Sequence, residues 1–500
     1  DGITLEEVNA MTAGLVTSHN QIVIVQAAEK NKDVLPTEVD LLAWVNNKER
    51  EISAHVDDVI NEPLLKAPIK AGKITKTKYH KTMEATEIIL SNGVTVVLKP
   101  TDFKNDEILY TAFSPGGYSL ASEGDVHSAK MAGSVIAASG VGNFNSSQIN
   151  RLLTGKSLAV GPYISTYTEG FQGYSSPQDL ETALQLTYLY FTQPRKDSTT
   201  FKRQVDNARV VLEGKSANPM SVFQDTLNAV MKGKGPWAAS LTLERLEEMS
   251  LQNVFAFYQN RFADASDFTF LFVGNFEVEA IKPLLEKYLG SLPATYRKER
   301  AQDVGIKPLS GQVNKTVYRG LEDKAVIVLS YHGNYKYTED NNLNLKVIKA
   351  ALETRLLERL REKESGVYSP SVSLSYVKDP SPYYSISVSF SCSTDRVNQL
   401  MEAATDEIKK LQTEGPTEVE VAKFVAQEKS QMEVQLKTNR FWLSHLESIY
   451  AKRRDANFSA RYQKRLDAIS FKATKKASEK YLRVDNVATL VLLPEGAKVQ

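Results

Sequence analysis

The sequence has few of the residues that form cross-links and metal centres. It contains one cysteine in 500 residues, so it forms no intramolecular disulfide. We predict that Cys392 is a core residue, because it lies in a stretch of alternating polarity typical of a strand. The six histidines are dispersed, and no two of them lie within five residues of each other. This spacing excludes a helix that carries two zinc-binding histidines one turn apart.

Long apolar runs and net charge are also lacking. No hydrophobic stretch approaches the roughly 18 residues of a transmembrane helix, so we expect no membrane span. The 61 basic and 60 acidic residues give a formal charge of +1, which provides no field to attract nucleic acid or anionic lipid. The 42% hydrophobic and 24% charged residues are ordinary for a globular chain. Because 500 residues exceed one ordinary core, we expect two to four domains and no nucleic-acid partner.

Two catalytic motifs are incomplete. No Gly-x-Ser-x-Gly sequence is present to hold a serine nucleophile. Gly155-Lys156-Ser157 is similar to the end of a phosphate loop, but Asn150 occupies the position of the required first glycine. The sequence therefore argues against nucleotide binding.

The most informative feature that is present is an internal repeat. Residues 245–251 match residues 465–471 without a gap. The offset that places Arg245 on Arg465, which we call the repeat register, also carries 270–272 onto 490–492. Each match combines a helical pattern with a following apolar strand pattern. The sequence therefore predicts two homologous domains that end in the same helix–strand unit.

A third, partial copy of this unit opens the chain. With one constant offset, residues 3–5 fall on 249–251 and residues 22–24 fall on 268–270. We predict a helix followed by a buried strand at 22–25, so that residues 1–30 are the tail of a preceding homologous domain. A domain without its front half cannot close its core, so we expect the chain to be a piece of a longer protein.

The remainder divides into a linker at 31–85, a first whole repeat at 86–297, a connection at 298–312 and a second whole repeat at 313–500. The first repeat opens with two apolar strands around Asn92-Gly93, the strongest short signal for a hairpin. Strand patterns alternate with amphipathic helices in both repeats. This organisation predicts an α+β fold of two homologous domains, each with a mostly antiparallel sheet packed against helices.

Residues 356–369 join a predicted helix to a predicted strand in the second repeat. We expect Gly366 to end the helix, and apolar alternation resumes at Val372. This junction would project Arg361 and Tyr368 from the edge of a sheet. Their guanidinium and phenol groups can hydrogen-bond a peptide carbonyl, and would stabilise it more strongly as an oxyanion. The alternative is that the arginine pairs with a nearby glutamate and the tyrosine packs in the core.

Both repeats resemble the pitrilysin/insulinase family of zinc peptidases. Residues 90–98, 103–108 and Gly116-Gly117 look like the start of a family domain, and residues 360–369 look like the C-terminal substrate-contact segment. The resemblance covers essentially the whole chain. It implies four homologous α+β domains in two halves that close around a chamber, with zinc held by a His-x-x-Glu-His motif in the first domain.

By this resemblance, the chain comprises the tail of domain two at 1–30, the linker between halves at 31–85, and domains three and four at 86–297 and 313–500. The helix after Asp125 corresponds to the zinc-binding helix of a first domain. It reads Ser-Ala-Lys-Met-Ala-Gly-Ser-Val over residues 128–135 and contains no ligand. The resemblance therefore assigns this chain to the half without zinc.

The resemblance further implies a substrate-binding C-terminal half of a zinc metalloendopeptidase that hydrolyses peptides or unfolded segments. The partners would be a peptide substrate and the protein's own N-terminal half, which would hold the zinc; this chain would bind no metal or other cofactor and would be inactive alone. Arg361 and Tyr368 would contact the substrate carbonyl and its oxyanion. Two alternatives remain, a catalytically inactive scaffold subunit and a peptide-binding module. A bacterial periplasm or cell envelope is favoured, while cytoplasm and organelle stay open.

Overall fold

The structure is a computed structural model that describes residues 2–15, 19–27, 29–47, 62–367 and 369–497. The chain divides into two compact units, Asp1–Val59 and Ile60–Gln500. Each unit is described by itself below. The larger unit contains both whole repeats.

The smaller unit contains two short helices, α1 (Leu5–Leu15) and α2 (Glu38–Asn46), with a 3₁₀ turn at Glu29–Val34. Thr37 and Asp40 form a reciprocal capping box at the start of α2. The predicted helix at α1 is confirmed. The predicted buried strand at 22–25 is wrong, because these residues are exposed and outside any strand. A strand needs hydrogen-bonding neighbours, and the described residues of this unit supply none.

The first repeat forms a seven-stranded sheet whose order is β1-β2-β3-β7-β4-β6-β5. Only the β3–β7 pair is parallel. The strands are β1 (Ile74–His80), β2 (Ala85–Leu90), β3 (Thr95–Pro100), β4 (Ile108–Pro115), β5 (Leu158–Ile164), β6 (Thr168–Ser175) and β7 (Thr269–Gly274). The predicted hairpin around Asn92-Gly93 is confirmed by β2 and β3, and Gly93 has a φ of 90° in the turn. Strand β1 lies inside the segment expected to be a linker, and Leu64, Leu65 and Ile69 pack against the core of this domain.

The first domain also contains helices, several of which cover one face of this sheet and bury its largest core. They are α3 (Val126–Ser139), α4 (Ser146–Leu152), α5 (Leu180–Thr192), α6 (Ser198–Lys215), α7 (Pro219–Lys232), α8 (Leu243–Glu247), α9 (Leu251–Arg261) and α10 (Val278–Leu284), which is followed by a π-helical turn at Leu285–Leu289. Helices α3, α5 and α9 contribute Val135, Leu184 and Tyr258 to this core, which also contains Tyr110 and Phe272 from the sheet.

The second repeat forms a five-stranded sheet whose order is β10-β11-β9-β12-β8, with β12–β8 as its parallel pair. Its elements are β8 (Val313–Tyr318), β9 (Ala325–Asn334), α11 (Glu339–Leu356), β10 (Ser371–Val377), β11 (Tyr383–Cys392), α12 (Val397–Glu414), α13 (Glu418–Gln435), α14 (Asn439–Tyr450), α15 (Phe458–Asp467), α16 (Phe471–Tyr481) and β12 (Val487–Leu493). Cys392 is buried at the end of β11, as predicted. The α+β fold of two similar domains is confirmed.

The structural equivalence of the two repeats extends beyond the residues that match in sequence. In the repeat register, helix α6 at 198–215 falls on helix α13 at 418–435, end to end, and α9 at 251–261 falls on α16 at 471–481. Ser250 and Ser470 cap the last two helices in the same way, each accepting a hydrogen bond from the backbone three residues later. The repeat register therefore relates structurally equivalent positions.

Each domain packs one of its helices on the sheet of the other domain. Helix α14 of the second domain packs Leu443 and Leu446 on the outer face of the first sheet, against Leu109 and Phe113 of β4. Helix α7 of the first domain packs on the outer face of the second sheet. Its buried Phe223 and Val230 contact a cluster that contains Val328, Ala488, Leu490 and Leu492. Each sheet is therefore covered on one face by its own helices and on the other by a helix of its neighbour.

Candidate functional site

The junction between α11 and β10 carries the predicted site. Thr338 caps α11 by accepting a hydrogen bond from the Asn341 backbone at 3.1 Å, and leucines and isoleucines at helical spacing bury one face. The helix continues as a π-helical turn at Leu357–Lys363. Within this turn Leu360 is buried, whereas Arg361 is exposed. Packing of the leucine therefore directs the arginine away from the core.

The helix does not end at Gly366, so that prediction is wrong. Ser365 adopts the left-handed conformation, with a φ of 50°, and the Gly366 nitrogen donates to the Leu360 carbonyl at 3.2 Å. A β-carbon at Gly366 would lie 2.7 Å from Nη1 of Arg396 and 2.9 Å from Cδ1 of Leu400. A larger residue at this position would therefore require the ends of the Arg396 and Leu400 side chains to shift.

Ionic contacts fix the exit from this turn. The Glu364 carboxylate accepts a hydrogen bond from Arg359, and its second oxygen lies 3.5 Å from Arg396 and 2.8 Å from Nε2 of Gln399. Glu364 thus joins Arg359 of the π-helical turn to Arg396 and Gln399 at the start of α12. The alternative that Arg361 pairs with a nearby glutamate is not tested by these contacts.

Tyr368 lies outside the described residues, so its convergence with Arg361 stays a prediction. The chain is described again from Ser369, and β10 begins at Ser371. Strand β10 is the edge of its sheet, which confirms that the junction leads to a sheet edge. An edge strand presents backbone donors and acceptors to an extended peptide.

The histidines that the structure describes do not converge on a metal site. Across the described ranges, no group of three or more His, Cys, Asp or Glu side chains is arranged to hold a metal ion. Burial lowers the pKa of His445 to about 4, with further contributions from Arg454 and Lys99, and burial also lowers the pKa of His332. These two rings are therefore neutral near pH 7 and belong to the packed interior.

Small residues occupy the helix that corresponds to a zinc-binding helix. In α3, Ala129 and Ala132 are fully buried, and a β-carbon on Gly133 would lie 3.2 Å from the Ile164 nitrogen. The helix therefore lies close against β5, an approach that bulky ligand side chains would prevent.

Residues 248–428 match the family model described as the peptidase M16 inactive domain. The chain is 25% identical over 427 residues to a zinc protease PQQL-like protein of Arabidopsis thaliana, an alignment that covers 81% of this chain and 42% of that protein. Residues 248–428 are therefore similar to an M16 peptidase domain. These matches confirm the predicted resemblance to a family of zinc peptidases.

Two solved structures share the fold of this chain. The periplasmic protease PqqL of Escherichia coli matches with a TM-score of 0.77 at 19% identity, covering 94% of this chain and 52% of that one. A mutant of the ferredoxin protease FusC, solved in complex with Arabidopsis ferredoxin, matches with a TM-score of 0.78 at 18% identity, covering 91% and 49%. The chain spans about half the length of these relatives. Among the helices described, none combines the length and apolarity that crossing a bilayer requires.

Sequence reasoning missed a buried ionic cluster in the first domain. Arg261, at the end of α9, donates two hydrogen bonds to Glu299 at 3.0 and 3.1 Å and lies 3.8 Å from Glu169. Glu169 accepts a hydrogen bond from the Gly117 backbone, and its burial raises its pKa to about 7. The cluster attaches the connection between the domains to the first domain. The only sequence signal was that Tyr481 occupies the position equivalent to Arg261 in the other repeat.

Proposed function

We propose that this chain is the substrate-binding half, without zinc, of an M16 zinc metalloendopeptidase that hydrolyses peptides or unfolded segments. The observation that carries the proposal is Arg361, exposed on a π-helical turn that leads to an open sheet edge. The relatives named zinc proteases are about twice as long as this chain, which leaves room for a metal-binding half.

Arg361 would donate hydrogen bonds from its guanidinium to a peptide carbonyl of the substrate. Tyr368 would donate from its phenol to the same carbonyl or to its neighbour. Both donors interact more strongly with an oxyanion than with a neutral carbonyl, so they would favour the transition state over the bound substrate. The described residues do not form a zinc site, so the metal would be held by the other half of the protein.

We further propose that residues 1–30 close a preceding homologous domain. Support comes from the third copy of the repeat and from the apolar side chains of the smaller unit. Ile3, Ile22 and Ile24 are each more than 80% exposed. In both whole repeats the equivalent strand, β7 or β12, lies between two neighbouring strands. Two strands of a further domain would therefore cover residues 22–25.

The test is reconstitution of peptide hydrolysis from two separately expressed halves. Neither half should hydrolyse peptide efficiently alone, and titrating this chain into the zinc-binding half should restore activity in a saturable way. Arg361→Ala should abolish the restoration. Full activity of the other half alone would exclude this chain from the catalytic machinery and favour a structural role. A mixture that binds peptide but never hydrolyses it, with zinc supplied, would favour a peptide-binding module.

The same proposal places the protein in a bacterial periplasm or cell envelope. Support comes from the similar E. coli structure, which is described as a periplasmic protease. Fractionation of cells that express the full-length protein would test this assignment.

A further inference from the structure

A groove of about 450 Å³ runs between α14 and the outer face of the first sheet, at the β5 edge. We call it the β5–α14 groove. Its floor includes Gly161 of β5 and Gln172 and Tyr174 of β6, and its wall includes Arg440, Ser444 and Glu447 of α14. The volume lies within the range of sites that bind small molecules and short peptides.

The floor is open and mostly uncharged. Gly161 pairs with Gln172 across the β5–β6 ladder, and Gln172 and Tyr174 lie on the same face because they are two residues apart. A β-carbon on Gly161 would meet no atom within 4 Å, so nothing in the described chain fills the space above it. Tyr174 is 46% exposed and offers an aromatic surface. The floor therefore accommodates an extended chain.

The wall carries two charges of opposite sign. Leu443 and Leu446 pack on the sheet and fix the orientation of α14, which places Arg440, Ser444 and Glu447 together at positions i, i+4 and i+7. Arg440 and Glu447 are separated by about 10.5 Å along the helix axis, from seven residues at about 1.5 Å each. Arg440 is exposed and Glu447 is half-buried, and in the part of the chain that is described neither side chain has an ion-pair partner.

The duplicated helix shows that packing does not require these charges. In the repeat register, Phe223 of α7 corresponds to Leu443, and both are buried against a sheet. At the positions of Arg440 and Glu447, α7 has Met220 and Leu227. Leu227 packs beside Phe223 on the second sheet. The charged pair is therefore peculiar to the copy that borders the groove.

We propose that the β5–α14 groove binds an extended peptide segment with an acidic side chain at Arg440 and a basic side chain at Glu447. At roughly 3.3 Å per residue, about 10.5 Å falls between two and four residues of extended chain, and only side chains an even number of residues apart point to the same side. An acidic and a basic residue four apart, at about 13 Å, therefore both face α14 within reach of its two charges. Tyr174 packs against the intervening residues. The inference deepens the proposed function, on which it rests, by assigning the bound substrates a mixed-charge class.

The experiment measures binding, not hydrolysis. Four fluorescent eight-residue peptides with blocked ends are titrated with the full chain, and anisotropy is recorded. One peptide carries Glu and Lys four residues apart; in the others this pair is replaced by two Lys, two Glu or two Gln. The Glu/Lys peptide should bind most tightly. Glu447→Gln should weaken its binding about ten-fold, which is within the range for a hydrogen bond between charged groups.

Three further variants make the result specific. Glu447→Lys should transfer the preference to the peptide with two Glu. Gly161→Val should weaken all four peptides by filling the floor, while thermal unfolding stays unchanged because valine is well suited to a strand. Glu433→Gln, which changes an exposed glutamate of α13 outside the groove, should change nothing.

Equal affinities for the four peptides, absence of binding at millimolar peptide, or an unchanged preference in both Glu447 variants would each overturn the proposal. A charge preference in binding without hydrolysis by the full-length protein would instead refute the proposed peptidase function and leave the groove assigned. Hydrolysis that depends on Arg361, with equal binding of all four peptides, would refute the groove assignment and leave the proposed peptidase function in place.

Discussion

The two copies of the repeat agree where a helix must pack and differ where a surface is left open. Phe223 and Leu443 are equivalent residues, and each anchors a helix on the neighbouring domain's sheet. One turn away, Met220 and Leu227 in one copy are replaced by Arg440 and Glu447 in the other. Packing constrains the buried positions of Phe223 and Leu443 in both copies, because loss of buried apolar contact is costly. The differences one turn away therefore mark positions that have acquired separate roles in the two copies.

The largest loss of stability should come from truncating the two buried residues that hold the exchanged helices on the sheets. We expect Phe223→Ala to lower the free energy of unfolding by about 3–5 kcal/mol, and Leu443→Ala by about 2–5 kcal/mol. Urea denaturation measures both losses. Met220→Ala is the matched control, because Met220 is 46% exposed. Losses below roughly 1 kcal/mol in both variants would mean that the exchanged helices contribute little to stability.

The helix–strand junction at Arg361, in the second repeat, should affect the catalytic activity of the full-length protein. In the full-length protein, Arg361→Ala should lower kcat about 10²- to 10³-fold, as loss of one oxyanion donor does. Lys363→Ala, on the same exposed turn, is the control and should leave kcat within about two-fold. Unchanged kinetics in Arg361→Ala would reduce this arginine to a surface residue.

Tyr368→Phe should have a smaller effect at the same junction. The change removes one hydroxyl, and water partly replaces it, so kcat should fall by at most about 10²-fold. Zinc content and thermal unfolding of the full-length protein should match the parent. A loss of stability equal to the loss of activity would instead assign the tyrosine to the core.

The ionic cluster at Arg261 should give the first domain a pH dependence that its copy lacks. Burial raises the pKa of Glu169 from 4.5 to about 7, so the folded state binds a proton more readily than the unfolded state. Stability from this group is fully present below about pH 4.5 and is lost as the pH rises through 7. Urea denaturation of Glu169→Gln from pH 5 to 8 should lack this decline. Glu213→Gln on exposed α6 should keep it, and an identical pH profile in all three proteins would contradict the assignment.

Local sequence patterns were sufficient to predict most of the fold. Alternation and turn chemistry around Asn92-Gly93 specify a hairpin, and the repeat register located both terminal helix–strand units. The strand predicted at 22–25 failed because a strand depends on neighbours that are often distant in sequence, and apolarity alone does not supply them.

The candidate site was predicted less completely, for a similar reason. The position of Arg361 at an exposed junction follows from periodicity, but the left-handed Ser365 does not. Beside it, Gly366 lies close to Arg396 and Leu400, and such contacts between residues distant in sequence are not encoded in the local pattern. The β5–α14 groove depends on proximity between residues of different domains, such as Gly161 and Glu447. Only an alignment of the two repeats would have drawn attention to it.

The exchange of α7 and α14 also imposes an order on biosynthesis. The first sheet is complete in sequence once β7 ends at Gly274, yet one of its faces stays uncovered until α14 ends at Tyr450. At about 5–20 residues per second, a ribosome needs on the order of 10–35 seconds to cover that interval. During this time Leu109, Phe113 and Leu271 form an apolar surface on a nascent chain. The first domain therefore keeps an apolar face exposed to solvent until its neighbour has been translated.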